Sequence, residues 1–402
     1  MPKLVEKEQC CGCAACANKC SKSAIEMKPD DTGFLFPVIN KELCVECGLC
    51  EKACPALNPA KRDNNYLKTF IVQHKNEQIR YQSTSGGAFT AIAEKVIDEG
   101  GVVFGASISK DFDVQHIFVE SKDELIKFRN SKYVQSKIGR AFRDALSFLK
   151  EGRLVCFSGT PCQLNGLHKF LGKDYDNLIS VDVCCRSVPS PLVFQKYVDF
   201  KRKQIEDANL LVFRDKKRGY SYCTLAWYKN EFNKEKGLSE YRRSSESDEW
   251  LRLFLGGYCD RNSCYSCKYQ STQRISDFTL WDCWETRSLA PEWNDNKGTT
   301  NVAVWTEKGL KFFEKLDGAI RFREFDPQKA QRGLERNSTL KPSKNREQFF
   351  KDANELSSED FIKKYVPFTI KVKLKMVGRY VIWRTHVHNL IRRIKHFIIH
   401  RK

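Results

Sequence analysis

Residues 10–20 read CCGCAACANKC and residues 44–55 read CVECGLCEKACP. Cys10, Cys13, Cys16 and Cys20 are spaced C-x2-C-x2-C-x3-C, and Cys44, Cys47, Cys50 and Cys54 repeat that spacing 34 residues later. Three thiolates two residues apart wrap one corner of an iron–sulfur cubane, and the fourth starts a short helix that points at a neighbouring cluster. The spacing assigns cluster one to Cys10, Cys13, Cys16 and Cys54, and cluster two to Cys44, Cys47, Cys50 and Cys20. Zinc needs four ligands in a closed tetrahedron, for which C-x2-C pairs suffice. Two complete four-cysteine runs with a duplicate offset favour iron and sulfide.

The duplicated run resembles a bacterial two-[4Fe-4S] ferredoxin module, with Pro55 after the last cysteine and Ser21 where that pattern usually has a second proline. Cys11 is the odd thiol of the segment. The 18 cysteines follow no apolar signal segment, which predicts thiols or metal ligands in a reducing, cytoplasmic setting. No stretch reaches the roughly 20 apolar residues of a membrane span. With 402 residues, 41% hydrophobic and 12% aromatic, the chain has material for two or three domains and a sizeable core.

After a polar linker at Asn58–Asn65 the pattern changes to alternating strands and helices. Thr69–Gln73, Gly101–Ile108, Val114–Glu120, Arg153–Phe157 and Leu178–Val183 read as strands. Helical spacing marks Ser83–Glu99, Lys137–Leu149 and Gln163–Leu171. The charged run Glu235–Glu249 reads as a surface loop or helix. The fold class is α+β: a ferredoxin-like domain at 1–60, a larger mixed α/β domain at 66–336, and a helical basic extension at 346–402.

Three points in the larger domain carry chemistry. Ser83-Thr84-Ser85-Gly86-Gly87 precedes a helix, where it is either a phosphate cradle or an N-cap with a close-packing glycine pair. Ser158-Gly159-Thr160-Pro161-Cys162 is a strand-to-helix turn that places Cys162 where the helix dipole favours thiolate, although a lone cysteine is more often a buried small hydrophobe. Cys162, Cys185, Cys264 and Cys267 lie in loop-like contexts and number what a third [4Fe-4S] cluster needs. A zinc site or a Cys264–Cys267 redox pair has the same composition. Cys156, Cys184, Cys223, Cys259 and Cys283 read as packing residues, with Cys184 and Cys259 the nearest rivals for ligand roles.

The segments STSGGAFTA, SKYVQS (Ser131–Ser136), FSGTPCQLNGL, VDVCCRSVPSP, SCYSCKY, ISDFTLWDCWE and NKGTTNVAVWTEKG resemble the family of coenzyme F-420 hydrogenase/dehydrogenase beta subunits. The resemblance runs from about Leu67 to Leu316. It implies a flavoprotein that binds FAD beside a [4Fe-4S] cluster and exchanges hydride with a deazaflavin or another reducible substrate. It implies that Cys162, Cys185, Cys264 and Cys267 hold that cluster. It makes Ser85, Gly86 and Gly87 flavin-phosphate contacts, and Ser131, Lys132, Tyr133 and Ser136 flavin or substrate contacts. Two motifs depart from the family: Cys185-Arg186-Ser187 stands for Cys-His-Gly, and Trp281-Asp282-Cys283-Trp284-Glu285 stands for Gly-Asp-Phe-Trp-Gly. No general acid or base stands out.

Charge is uneven. The formal net charge is +19, and Pro367–Lys402 alone carries ten Lys or Arg and no Asp or Glu. A nucleic-acid groove is therefore not expected. Val372, Met376, Tyr380, Trp383, Val387, Ile391, Ile394 and Ile398 recur at helical spacing among those cations, the pattern of a basic amphipathic helix for an anionic membrane surface or for the protein's own core. The expected partner is a redox protein or a small hydride donor or acceptor. The competing expectation is an electron-relay or assembly subunit without a substrate of its own, by analogy near bacterial cell-surface polysaccharide synthesis.

Overall fold

The computed structural model describes residues 1–59, 66–269, 274–326, 328 and 340–385. The N-terminal module is a hairpin, β1 (Ile25–Pro29) paired antiparallel with β2 (Leu35–Ile39), flanked by the short helices Ala15–Lys19 and Leu49–Lys52. The left-handed residues Ala14 and Gly48 start those helices, so each cysteine run turns sharply into its helix.

The large domain is built on an eight-stranded mixed sheet. Its strands are β3 (Lys68–His74), β4 (Val102–Ile108), β5 (Val114–Val119), β6 (Val155–Gly159), β7 (Leu178–Val183), β11 (Phe278–Asp282), β12 (Thr300–Val304) and β13 (Ile320–Glu324). Their order is β13-β3-β12-β11-β7-β6-β4-β5. The four central strands β11, β7, β6 and β4 run parallel, and the outer pairings are antiparallel. The central strands are largely apolar and buried because helices cover them, among them Ala88–Asp98 and Ala141–Lys150.

A second sheet joins β8 (Leu210–Asp215), β9 (Thr224–Tyr228) and β10 (Tyr241–Ser244). This corrects the expectation of a surface loop or helix across Glu235–Glu249. The helix Glu231–Lys236 ends within it and the helix Glu249–Leu255 begins at its last residue, and Ser247, Asp248 and Glu249 are buried. Their charges are neutralised internally: Lys201 lies 2.7 Å from Glu249, and Tyr197 and Tyr241 donate to Asp248 at 2.9 and 3.0 Å.

The helices Arg346–Glu355 and Ser358–Tyr365 contribute Phe349, Phe350, Phe361 and Ile362 to a core shared with Phe34, Phe36, Phe194, Trp227 and Trp250. The last described helix, Ile370–Arg384, corrects the expected membrane stripe. Val372 is buried, Trp383 meets Tyr222 edge-on at 6.1 Å, and Arg379 pairs with Glu246. Tyr380 of that stripe is exposed, together with Ile370, Leu374, Val377 and Val381, which lie outside it. Val387, Ile391, Ile394 and Ile398 lie outside the described residues. Among the described residues no helix is long and apolar enough to cross a membrane.

Candidate functional site

Three cysteine sets and one buried charge network carry the candidate chemistry of this fold. In the N-terminal module a cavity is lined by Cys10, Cys11, Cys13, Cys16 and Cys54, with Leu4, Val5, Met27, Pro37 and Pro55 as apolar wall. Four of these thiols, Cys10, Cys13, Cys16 and Cys54, are those assigned to cluster one, and Cys16 has Cys10, Cys54 and Cys50 as charge neighbours. In the second set Cys50 stands near Cys20. Cys47 is exposed at the far end of the module, beside exposed Leu43, Val45 and Leu49. None of the 18 cysteines is in a disulfide.

The third set gathers at the carboxyl ends of adjacent parallel strands, where open α/β sheets place their ligands. β6 ends at Gly159 and passes into the helix Pro161–Leu171, whose entry is fixed by Pro161 and by Thr160 N donating to Gln163 Oε1 at 2.9 Å. That turn carries Cys162. The neighbouring strand β7 ends at Val183 and leads to Cys185. Val188–Ser190 then runs against Cys259–Arg261 through Arg261 N to Val188 O and Ser190 N to Cys259 O, both 2.9 Å. This pairing brings Cys264 to the Cys185 loop, with Val188 N donating to Cys264 Sγ at 3.4 Å. Cys185 has Cys264 and Cys267 as charge neighbours, and Cys162 has Cys11, Cys267 and Cys185. Burial pushes the Cys264 thiol up to about 12, so a bound cation is what would draw these thiols into thiolates. Cys156, Cys259 and Cys283 are buried among apolar side chains, and Cys184 packs near Trp305 and Trp281.

The next strand along, β11, ends at Asp282. This carboxylate accepts from Arg214 Nη1 at 3.0 Å and Tyr220 Oη at 2.8 Å, and also from Ser85 Oγ. Burial pushes its carboxyl up, but the Arg214 guanidinium and the Ser85 hydroxyl outweigh that and hold it below the usual range. Arg214 reaches Tyr133 Oη at 3.3 Å, and Trp284 stacks on Tyr220 at 4.7 Å. Lys216 is buried beneath, donating to the carbonyls of Arg80, Ser85 and Lys297 at 2.8, 2.6 and 2.8 Å.

The seven residues expected to contact a flavin divide. Ser85 and Tyr133 belong to the Asp282 network, and Ser131 Oγ lies 2.9 Å from Thr84 Oγ1, next in sequence to Ser85. Gly86 is a close-packing glycine: its N–H donates to Thr300 Oγ1 at 2.8 Å, and an added Cβ would lie 2.3 Å from Val72 O. Gly87 starts the helix Ala88–Asp98 in the left-handed region. Lys132 Nζ donates to the carbonyls of Lys127 and Arg129 at 2.8 and 3.0 Å. Ser136 bonds His116 Nδ1 at 2.7 Å, at the back of the Ser158 turn. Sequence reasoning missed Arg214, Lys216 and Tyr220. The one signal was a run of charge, FRDKKRGY, directly after an apolar strand.

Orphaned donors test whether these sites fit the groups their residues imply. Arg261 Nη1 and Tyr269 Oη, both beside the cysteines, are buried without a hydrogen-bond partner among the described residues, as is Arg214 Nη2 beside Asp282. Cluster sulfurs and a bound anion, respectively, are acceptors that would satisfy them. Both sites fit.

Fold and site together define an iron–sulfur protein of oxidoreductase type. Residues 69–143 and 152–328 match the models for the N- and C-terminal parts of the coenzyme F420 hydrogenase/dehydrogenase beta subunit, and residues 9–58 match a 4Fe-4S dicluster domain. The chain belongs to this family of beta subunits and carries a [4Fe-4S]-binding module in front of the family's own domains. It is 20% identical over 375 residues to a subunit of the F(420)H(2) dehydrogenase of Methanosarcina mazei, covering 90% of this chain and 97% of that one. It is 28% identical over 208 residues to an uncharacterized protein of Methanocaldococcus jannaschii, covering 43% of this chain and 56% of the relative's length. The coenzyme F420-dependent sulfite reductase of that organism is 27% identical over 176 residues, which span 42% of this chain and 26% of that one. A chain of the F420-reducing [NiFe] hydrogenase complex from Methanosarcina barkeri aligns with TM-score 0.46 at 14% identity, over 77% of this chain and 95% of that one.

Proposed function

We propose that this chain passes electrons between two ferredoxin-type [4Fe-4S] clusters and a hydride-exchanging organic substrate, through a third cluster on Cys162, Cys185, Cys264 and Cys267 and an FAD beside Asp282. One observation carries the reading: the third cysteine set and the Asp282 network stand at the carboxyl ends of β6, β7 and β11, which are neighbours in one sheet. Cys184 N donates to Leu280 O at 3.0 Å, so the two sites share backbone contacts. FAD, when bound, supplies the exchange between hydride and single electrons.

The chain's own residues hold, orient and shield. Arg214 Nη2 is the free donor for an anionic group of the cofactor or substrate. Asp282 and Tyr220 fix the plane of that guanidinium. Trp284 and Tyr220 wall the site with aromatic faces. Gly86 packs between strands β3 and β12, its N–H already donating to Thr300 Oγ1. A deazaflavin such as F420 is the substrate class that the relatives' names favour, and a redox protein is the expected second partner.

Metal and flavin analysis of anaerobically purified protein tests this reading. Three cubanes and one flavin give about twelve irons and one FAD per chain. Stoichiometric zinc without iron refutes it. Full iron without flavin favours the relay or assembly reading, which the internally satisfied Gly86 N–H and Lys132 Nζ support.

We also propose peripheral contact with an anionic membrane through Ile370–Arg384. Ile370 and Leu374, 79% and 67% exposed, lie on the helix that carries Lys371, Lys373 and Lys375. Leu374→Glu with Val377→Glu is expected to abolish cosedimentation with phosphatidylserine vesicles. Undiminished cosedimentation would refute the contact.

A further inference from the structure

The two metal-bearing parts of this chain are locked together through small residues and buried cations. Gly33 has φ +75°, and an added Cβ would lie 2.4 Å from Leu192 Cβ and 2.8 Å from its backbone N. Gly12 fits beneath Gln135 and Arg261 in the same way, at 2.6 and 2.8 Å. Arg261 is fully buried, donates to Cys10 O at 2.6 Å and Leu35 O at 3.0 Å, and lies 4.2 Å from the Phe36 ring centre. Arg143 holds the carbonyls of Ala17, Asn18 and Cys20. The module is seated with a fixed face toward the sheet.

That face carries cluster one rather than cluster two. Gly166 stands one helical turn after Cys162 on the helix Pro161–Leu171, and an added Cβ there would meet Cys13 Sγ at 2.8 Å. The missing side chain is the notch that admits the Cys13 loop. Cys11 lines the same cavity as Cys10, Cys13, Cys16 and Cys54, and its thiol neighbours those of Cys13 and Cys162. It packs on the core formed by Ala15, Leu164 and Leu167, while its neighbour Cys10 packs on the core around Phe34 and Phe36. Tyr269 faces the same junction: its charge neighbours are Cys11, Cys162, Cys13 and Cys54, and its hydroxyl is buried without a partner among the described residues. A buried O–H left open in this way marks an acceptor that the protein does not itself provide.

We propose that the Cys11 thiol, packed between Cys13 and Cys162 under the Tyr269 hydroxyl, is the crossing through which single electrons pass between cluster one and the third cluster. This rests on the functional reading above and adds the order of the relay: cluster two at the exposed end, cluster one, Cys11, the third cluster. Each crossing moves one electron from a reduced [4Fe-4S] cluster on one side to an oxidised one on the other. No bond forms or breaks, and Cys11 is neither a ligand nor itself oxidised. Tyr269 donates a hydrogen bond to a cluster sulfur and so raises that cluster's potential.

The test uses the full-length, cluster-loaded chain. The protein receives fewer electrons than it has clusters, from dithionite, and freeze-quench EPR follows their redistribution. Cys11→Ala is expected to keep the native iron content and visible spectrum while slowing redistribution between the ferredoxin signals and the third signal. Tyr269→Phe is expected to keep iron and to shift one cluster to lower potential in an EPR-monitored redox titration. Loss of about four irons in Cys11→Ala would make Cys11 a ligand and overturn the crossing. Native redistribution in Cys11→Ala, or a native potential in Tyr269→Phe with iron retained, would also overturn it. Absence of iron in the wild-type chain would overturn the functional reading itself, a separate result.

Discussion

Arg261→Met tests the docking of the N-terminal module most directly. Methionine keeps the length and most of the apolar volume but removes the charge and the fork of donors. Two hydrogen bonds to backbone carbonyls are lost, at 2.6 Å to Cys10 O and 3.0 Å to Leu35 O. Bonds from a charged donor contribute about 1.5–3 kcal/mol each, and the carbonyls left behind are part-buried. The contact with the Phe36 ring at 4.2 Å adds about 2 kcal/mol when desolvated. Relief from burying a cation, and the packing of the methionine, offset part of this. The net loss is about 3–5 kcal/mol, concentrated at the module seam. Hydrogen exchange resolves that local loss from global unfolding. Protection over residues 12–40 is expected to fall, while β6, β7 and β11 keep theirs. Unchanged protection over residues 12–40 would show that Arg261 does not hold the seam, and the argument from buried donors would fail.

Other predictions follow from single contacts. Gly33→Ala combines a left-handed backbone with a clash against the Leu192 backbone, which together cost about 2–5 kcal/mol; a melting temperature within a degree of native would refute it. Burial lowers His116 to about 4, so the folded state binds fewer protons than the unfolded state between about pH 4 and 6.5, and stability rises with pH across that window by roughly 3 kcal/mol. His116→Phe is expected to flatten that part of the urea-midpoint profile, and an equally steep profile would exclude His116 as its source. Asp282→Asn leaves Arg214 without its counter-charge and is expected to lower flavin content with iron unchanged, as read from the extracted cofactor; native flavin content would remove Asp282 from the site.

The parts of this fold that were legible in the sequence are those set by local pattern. The duplicated cysteine run and the apolar strands β3 to β7 are properties of short segments, and the structure places those strands within a few residues of the expected spans. Strand β10 was not legible because its sequence, YRRS, is charged; Arg242 and Arg243 are neutralised by Asp215 and Glu249, which come from other parts of the chain. The C-terminal helix misled for a related reason. It has apolar residues on two faces, and periodicity alone does not say which one the protein covers. The junction at Cys11 lay out of reach altogether, since Gly166 meets Cys13 only after the module has docked.

The glycine seats at residues 12, 33 and 166 bear on how freely such modules are exchanged. A foreign two-cluster ferredoxin with the same eight cysteines would still have to present a bare backbone where Gly12 and Gly33 meet Gln135 and Leu192. A single methyl group at the second of these would lift the guest away from the host sheet. Compatibility between donor and acceptor is therefore written in residues that carry no side chain, and a graft chosen on cysteine spacing alone would bind its iron and yet remain electrically disconnected.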